Sequence, residues 1–307
     1  MGVKRIHFTF ILLFGALLFA LPANCRATAP IRVLVSILPQ KYFVGRIAGE
    51  LARVSVMVPP GSNPATYEPK PTQMRALVRS KIYFAIGAPF ERVWLKKIAA
   101  INQELMVVHT DRLIKKRKMA AHLHSGTTDQ EGKMRAPHGG PDKEAWLDPH
   151  IWLAPPLVKL QARVIADAFI RIDPERKGIY ENNLRAFWTE IDKLDKEIRG
   201  VLEGNQKKRE ILVFHPSWGY FTEAYGLTQI PVEIEGKEPS AVEMARLVNY
   251  ARDKGIKVIF VQPQFATKSA EAIAREIGAR VVVADPLAEN WAENLREVAA
   301  KFREALR

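Results

Sequence analysis

Short apolar runs rich in valine and isoleucine alternate along this chain with stretches whose apolar residues recur every three or four positions. The first pattern belongs to strands buried on both faces and the second to helices packed along one side. Their alternation predicts a parallel sheet with crossover helices. Four strands are expected in the first half, at "RVLVSI", "RVSVMV", "KIYFAIG" and "LMVVHT", and four in the second, at "EILVFH", "QIPVEI", "KVIFVQ" and "RVVVAD". The fold class is therefore α/β, with two lobes that each hold a four-stranded parallel sheet and flanking helices. No residue-level repeat relates the halves, so the symmetry lies only in the pattern.

Between the halves, the stretch from Pro174 to Gly204 places Tyr180, Leu184, Phe187, Ile191, Leu194, Ile198 and Val201 in steps of four and three. Asp173-Pro174 is a helix start and Gly204 a stop. A continuous stripe of this kind is packed along its length, and about 30 helical residues reach roughly 45 Å, the height of a domain. The predicted organisation is a leader at 1–27, an N-terminal lobe at 30–173, a stiff linking helix at 174–203 and a C-terminal lobe at 204–307. A coiled-coil dimer helix is the alternative use of such a stripe. One long irregular segment, 111–147, interrupts the first lobe and carries His122, His124 and His138, three of the seven histidines. Segments of that length are commonly functional or disordered.

Composition narrows the class. With 48% hydrophobic and 26% charged residues, the 307-residue chain is that of a soluble globular protein, apart from its beginning. There Lys4 and Arg5 precede an apolar run from Phe8 to Leu21 and then small residues, the pattern of a secretory leader cut near Ala27. Cys25 stands where a lipid-bearing cysteine would, but Asn24 before it suits lipid attachment poorly, so a free exported form is expected ahead of an anchored one. As Cys25 is the only cysteine, the exported chain cannot rely on internal disulfides. The net charge of +13 and the basic runs at Lys115–Lys118 and Lys207–Arg209 raise nucleic acid as a partner. No nucleic-acid fold motif accompanies them, and an exported protein rarely meets nucleic acid. Solvated loops near an anionic membrane are the simpler reading, and the chain is expected to be a monomer.

Three side chains carry candidate chemistry, each beside a proline that restricts its backbone: His150 in "DPHIWLAP", His215 in "FHPSWGYF" and Asp285 in "VVVADPL". His215 and Asp285 fall at the carboxyl ends of predicted strands, where open α/β sheets bind ligands. Two imidazoles and a carboxylate suit zinc, and less selectively manganese or iron. From spacing alone they read equally well as separately satisfied polar residues. A fourth stretch, "GSNPATYEPKP" from Gly61, is stiffened by three prolines yet has Ala65 at its centre, a residue that neither binds nor reacts.

The segments "VPPGSNPATYEPKP", "DPHIWLAP", "DPERKGIYENN", "FHPSWGYFTEAYGL", "GKEPSA", "VIFVQPQF" and "VVVADPL", in this order, resemble the ZnuA/TroA-like zinc- and manganese-binding solute receptors of bacterial ABC transporters. The resemblance implies two lobes about a metal cleft, a long rigid helix joining them, and delivery of the ion to a membrane permease with its cytoplasmic ATPase. It also implies four ligand places. His150 takes the second, His215 the third and Asp285 the fourth, and a histidine in the third place favours zinc over manganese. The first place, a histidine in the family pattern, is Ala65 here. Water, one of His122, His124 and His138, or a carboxylate such as Glu68 or Glu235 could stand in. Zinc-binding members often carry a histidine-rich segment where 111–147 lies.

Two other readings remain. Three protein ligands and a water also make a hydrolytic zinc site, with Glu68 or Glu235 as base, although no "HExxH" motif is present. Alternatively, Ala65 leaves room for a chelated metal or other ligand, in a cleft lined by Tyr67, Trp218 and Tyr220.

Overall fold

A computed structural model describes residues 29–119, 147–204, 209–233 and 238–307. The first sheet contains β1 (Ile31–Val35), β2 (Ala52–Val56), β3 (Ile82–Ala85) and β4 (Met106–His109). The second contains β5 (Glu210–Val213), β6 (Thr228–Pro231), β7 (Val258–Val261) and β8 (Arg280–Val283). All eight expected strands form, every pairing is parallel, and the strand orders β2-β1-β3-β4 and β6-β5-β7-β8 repeat one topology in both lobes. The helices are α1 (Leu38–Ala48), α2 (Pro71–Val78), α3 (Pro89–Ile101), α4 (Pro155–Ile172), α5 (Lys177–Leu202), α6 (Gly219–Ala224), α7 (Ala241–Asp253), α8 (Lys268–Ile277) and α9 (Trp291–Ala305). Proline opens the first turn of α1, α2, α3 and α4, where its missing N–H has no intrahelical partner to lose.

Helix α5 is the linking helix, and it differs from expectation at both ends. Pro174–Arg176 forms a 3-10 turn that precedes the helix rather than its first α-turn. At the other end Leu202 is buried while Val201 is only partly so. A helix of 3.6 residues per turn drifts against a strict three-four pattern, so the step after Ile198 is four residues. The stripe itself is covered within the chain, by α4, α1 and α9, which uses up the face a coiled-coil partner would need.

Phe187, midway along the stripe, joins three elements. Its ring lies 6.0 Å from Tyr42 and 6.0 Å from Phe43 of α1, and 6.4 Å from Trp291 of α9. Around it runs one core that takes in the first sheet, α4, α5, α9 and the inner face of the second sheet through Ile211, Val213, Val258 and Phe260. The alternate residues Leu212 and Ile259 face a smaller core under α7 and α8, as the period of two along a strand requires.

Polar contacts tie the same seam. Tyr42 and Arg46 both bond Glu190 of α5, and Asn183 donates to the Ile47 carbonyl at 2.9 Å. Trp152 donates its indole N–H to the Pro286 carbonyl, and Trp291 donates to the Trp152 carbonyl, each at 2.7 Å. No helix among the described residues is long and apolar enough to cross a membrane. The expected leader and Cys25 lie outside the described residues.

Phe187→Ala should cost about 3–5 kcal/mol, the range for emptying a large aromatic from a packed core. Because the main core spans both lobes, urea unfolding should remain one transition with a lowered midpoint.

Candidate metal centre

His150 sits just before the 3-10 turn Ile151–Leu153 that leads into α4, and His215 lies two residues beyond β5. The two rings approach to 5.3 Å between centroids at 69°. His150 also lies 5.2 Å from Trp152, and His215 stacks on Phe265 at 4.6 Å. Both histidines line one cavity of about 70 Å³ together with Asn63, Pro64 and Ala65 from the stiffened loop, Met119, Gln264 and Phe265.

Each ring is held by a carboxylate on its Nδ1. Asp148 Oδ1 lies 2.8 Å from His150 Nδ1 and also accepts the His150 backbone N–H at 3.0 Å. Glu233 Oε2 lies 2.6 Å from His215 Nδ1. The second pair follows from strand register. Val213 of β5 pairs with Pro231 of β6, so two residues past the ends His215 comes level with Glu233, and the Glu233 N–H donates to the Phe214 carbonyl at 2.9 Å. A carboxylate on Nδ1 fixes the tautomer and leaves Nε2 as the lone-pair nitrogen, the arrangement that metal-ligating histidines commonly show. Burial pushes the His215 imidazole below its ordinary value, partly opposed by the Glu233 bond. The ring is therefore neutral, and able to ligate, at neutral pH.

The support extends further back. Gln262 clamps the His215 backbone from both sides, accepting its N–H at 3.1 Å and donating to its carbonyl at 2.8 Å. Asp148 is fully buried, and its charge faces Arg117, whose Nε lies 3.9 Å from Oδ2. Arg117 in turn reaches the Gly219 carbonyl at 2.8 Å and Glu223 at 2.7 Å. Gly219 has to lack a side chain, since a Cβ there would fall 2.9 Å from Asp148 Oδ2.

Asp285 occupies the carboxyl end of β8 as expected but does not line the cavity. Its Oδ1 accepts from Gln264 Nε2 at 2.8 Å and from the Leu287 N–H at 2.9 Å. Among the described residues no group of three His, Cys, Asp or Glu side chains is close enough to hold a metal. The facing pair is His150 and His215, and the carboxylates nearest to them are committed to Nδ1. Glu68 is exposed and off the cavity. His122, His124, His138 and Glu235 lie outside the described residues.

The three aromatics expected along the cleft are placed elsewhere. Trp218 is fully buried against Phe221 and Phe302. Tyr220 accepts from the Arg117 N–H at 2.9 Å and donates to the Asp148 carbonyl at 3.1 Å. Tyr67 packs on Phe90 and donates to Gln73 at 2.6 Å. The residues missed in the sequence are Asp148, Glu233, Gln262 and Gln264. Asp148 stood in the "DPH" motif, and the parallel register would have pointed to Glu233.

The whole two-lobed fold also matches known proteins. The family model described as "ZnuA: Zinc-uptake complex component A periplasmic" matches residues 33–305. The chain belongs to the ZnuA family. A crystal structure of ZnuA superposes with a TM-score of 0.81 at 41% identity, over 91% of this chain and 100% of that one. A ZnuA deletion mutant with zinc bound superposes with a TM-score of 0.79 at 42% identity, over 90% and 98% of the two chains. The high-affinity zinc uptake system protein ZnuA of Bacillus subtilis (strain 168) is 26% identical over 84% of this chain and 78% of its own. ZnuA-family proteins are extracytoplasmic solute-binding transport proteins, not enzymes, which removes the hydrolase reading.

The loop that brings Ala88 and Pro89 to the cavity depends on a further buried acid, Glu91 in the first turn of α3. Its carboxylate accepts the Ile86 and Gly87 N–H groups at 3.0 and 2.8 Å and bonds Ser36. Burial pushes its pKa up to about 7. The folded chain thus holds this proton more tightly than the unfolded chain, so the group's contribution to stability is full in acid. That contribution is lost as pH rises from the usual carboxylate range through about 7. Thermal unfolding of Glu91→Gln beside the unsubstituted chain should show a stability difference in favour of glutamate that shrinks between pH 5 and pH 8.

Proposed function

We propose that this receptor captures one zinc ion between His150 and His215, with Asp285 serving the same site, and delivers it to an ABC permease and its cytoplasmic ATPase. The observation that carries the reading is the pair of facing imidazoles, each tied through Nδ1 to a buried carboxylate and each lining one small cavity. Nitrogen donors of this kind suit zinc better than manganese, and the zinc named for the related proteins agrees. The cavity, at about 70 Å³, has room for a cation with a few waters, whereas sites for small organic molecules run to roughly 300–1,000 Å³. This difference disfavours a chelated metal as cargo. The leader at 1–27 supports export, and Asn24 before Cys25 supports a free rather than lipid-anchored mature form.

Titration of the metal-stripped protein against a chromophoric chelator should give one zinc per chain, with manganese bound more weakly. His215→Ala should abolish tight binding. Removing only the holding carboxylate, in Asp148→Asn or Glu233→Gln, should weaken zinc by about 10- to 100-fold, or about 1.4–2.8 kcal/mol. Zinc affinity left unchanged by all three substitutions would rule out this site.

A further inference from the structure

The loop that should offer the first ligand offers none, since Ala65 lines the cavity without a donor. Two amide side chains line the same cavity, those of Asn63 and Gln264, and they differ in what remains free. Asn63 spends its oxygen on its own loop, accepting the Ala65 N–H at 2.8 Å. Gln264 spends its nitrogen instead, donating Nε2 to Asp285 Oδ1 at 2.8 Å. An ionised carboxylate only accepts, so this bond settles which end of the amide is which. The other end, Oε1, is buried and has no hydrogen-bond partner. A buried acceptor left unpaired in a native protein calls for an explanation, and here it belongs to a residue lining the cavity of the two imidazoles.

We infer that Gln264 Oε1 supplies an oxygen ligand to the cargo cation in place of the ligand missing at Ala65, and that Asp285 acts through Gln264 as a positioning residue. This rests on the receptor reading above. Gln264 belongs to the same stiff wall as His215. Gln262, two residues before it, clamps the His215 backbone, and Phe265, next to it, stacks on the His215 ring. Asp285 is fixed by the Leu287 N–H at 2.9 Å and by Asn294, which donates to its backbone carbonyl at 2.8 Å. A carboxylate accepting from Nε2 polarises the amide and concentrates negative charge on Oε1. The arrangement explains how Asp285 serves the site without lining the cavity. It also makes the oxygen donor neutral, so the ligand set carries less charge than one with a direct carboxylate.

The test is a double-mutant cycle of Gln264→Ala and Asp285→Asn, read by zinc affinity in chelator competition and by the visible absorption of the cobalt(II)-loaded protein. Gln264→Ala should raise the zinc Kd at least about 10-fold and change the cobalt spectrum, and it should still weaken binding when Asp285 is already Asn. Asp285→Asn should weaken binding less, and should add little once Gln264 is gone. The inference is overturned if Gln264→Ala leaves the Kd within twofold and the cobalt spectrum unaltered. It is also overturned if the effect of Gln264→Ala vanishes in the Asp285→Asn background, which would make the glutamine merely a support for a ligating aspartate. If the alanine variant does not fold, Gln264→Met removes the oxygen, keeps the bulk and makes the same comparison. Failure of the unsubstituted protein to bind either metal would overturn the receptor reading itself. Binding that His215→Ala abolishes and Gln264→Ala leaves alone would overturn only the role of Gln264.

Discussion

Two indole N–H groups, buried at the seam between the lobes, must each find an acceptor, and both find it across that seam. Trp152 reaches the carbonyl of Pro286, and Trp291 reaches the carbonyl of Trp152. Leaving either donor unpaired in the core would cost about 1–3 kcal/mol, so the segments carrying them are held in register. Those segments begin next to His150 on one side and next to Asp285 on the other. The geometry of the cleft therefore descends from the packing of its floor, and the aromatic cluster of Tyr42, Phe43, Phe187 and Trp291 fixes that floor to the linking helix.

Hydrogen bonds and opposed charges build the site upward. Each imidazole is fixed by a carboxylate, each carboxylate is buried, and the charge of Asp148 is answered by Arg117. Arg117 also grips the start of α6 in the C-terminal lobe, so the residue that steadies His150 is itself anchored on the far side. One imidazole from each lobe can then face the other without either lobe having to move.

Much of this was legible in the chain before any coordinates. Eight strands could be read because each is a short β-branched run between turn signals, and α5 because its stripe is long enough for a period of 3.6 to stand out. His150 and His215 were visible through their neighbouring prolines, and His215 also through its position at a strand end. What stayed hidden depends on which strand lies beside which. Glu233 is indistinguishable from Glu235 in "QIPVEIE" until β6 is paired with β5, and Gln264 is one polar residue among many until its nitrogen is seen to be taken. The aromatics misled for a related reason. Trp218 and Tyr220 sit close to His215 in sequence, yet large rings contribute most when fully covered, and the core claims them.

Helix α5 has a kinetic consequence. With the lobes packed along its length and across their seam, closing the cleft as a hinge would have to break the contacts of α5 with α1, α4 and α9. The slow steps of exchange are then expected at the ion itself, in loss of its own waters and in proton competition for the imidazoles.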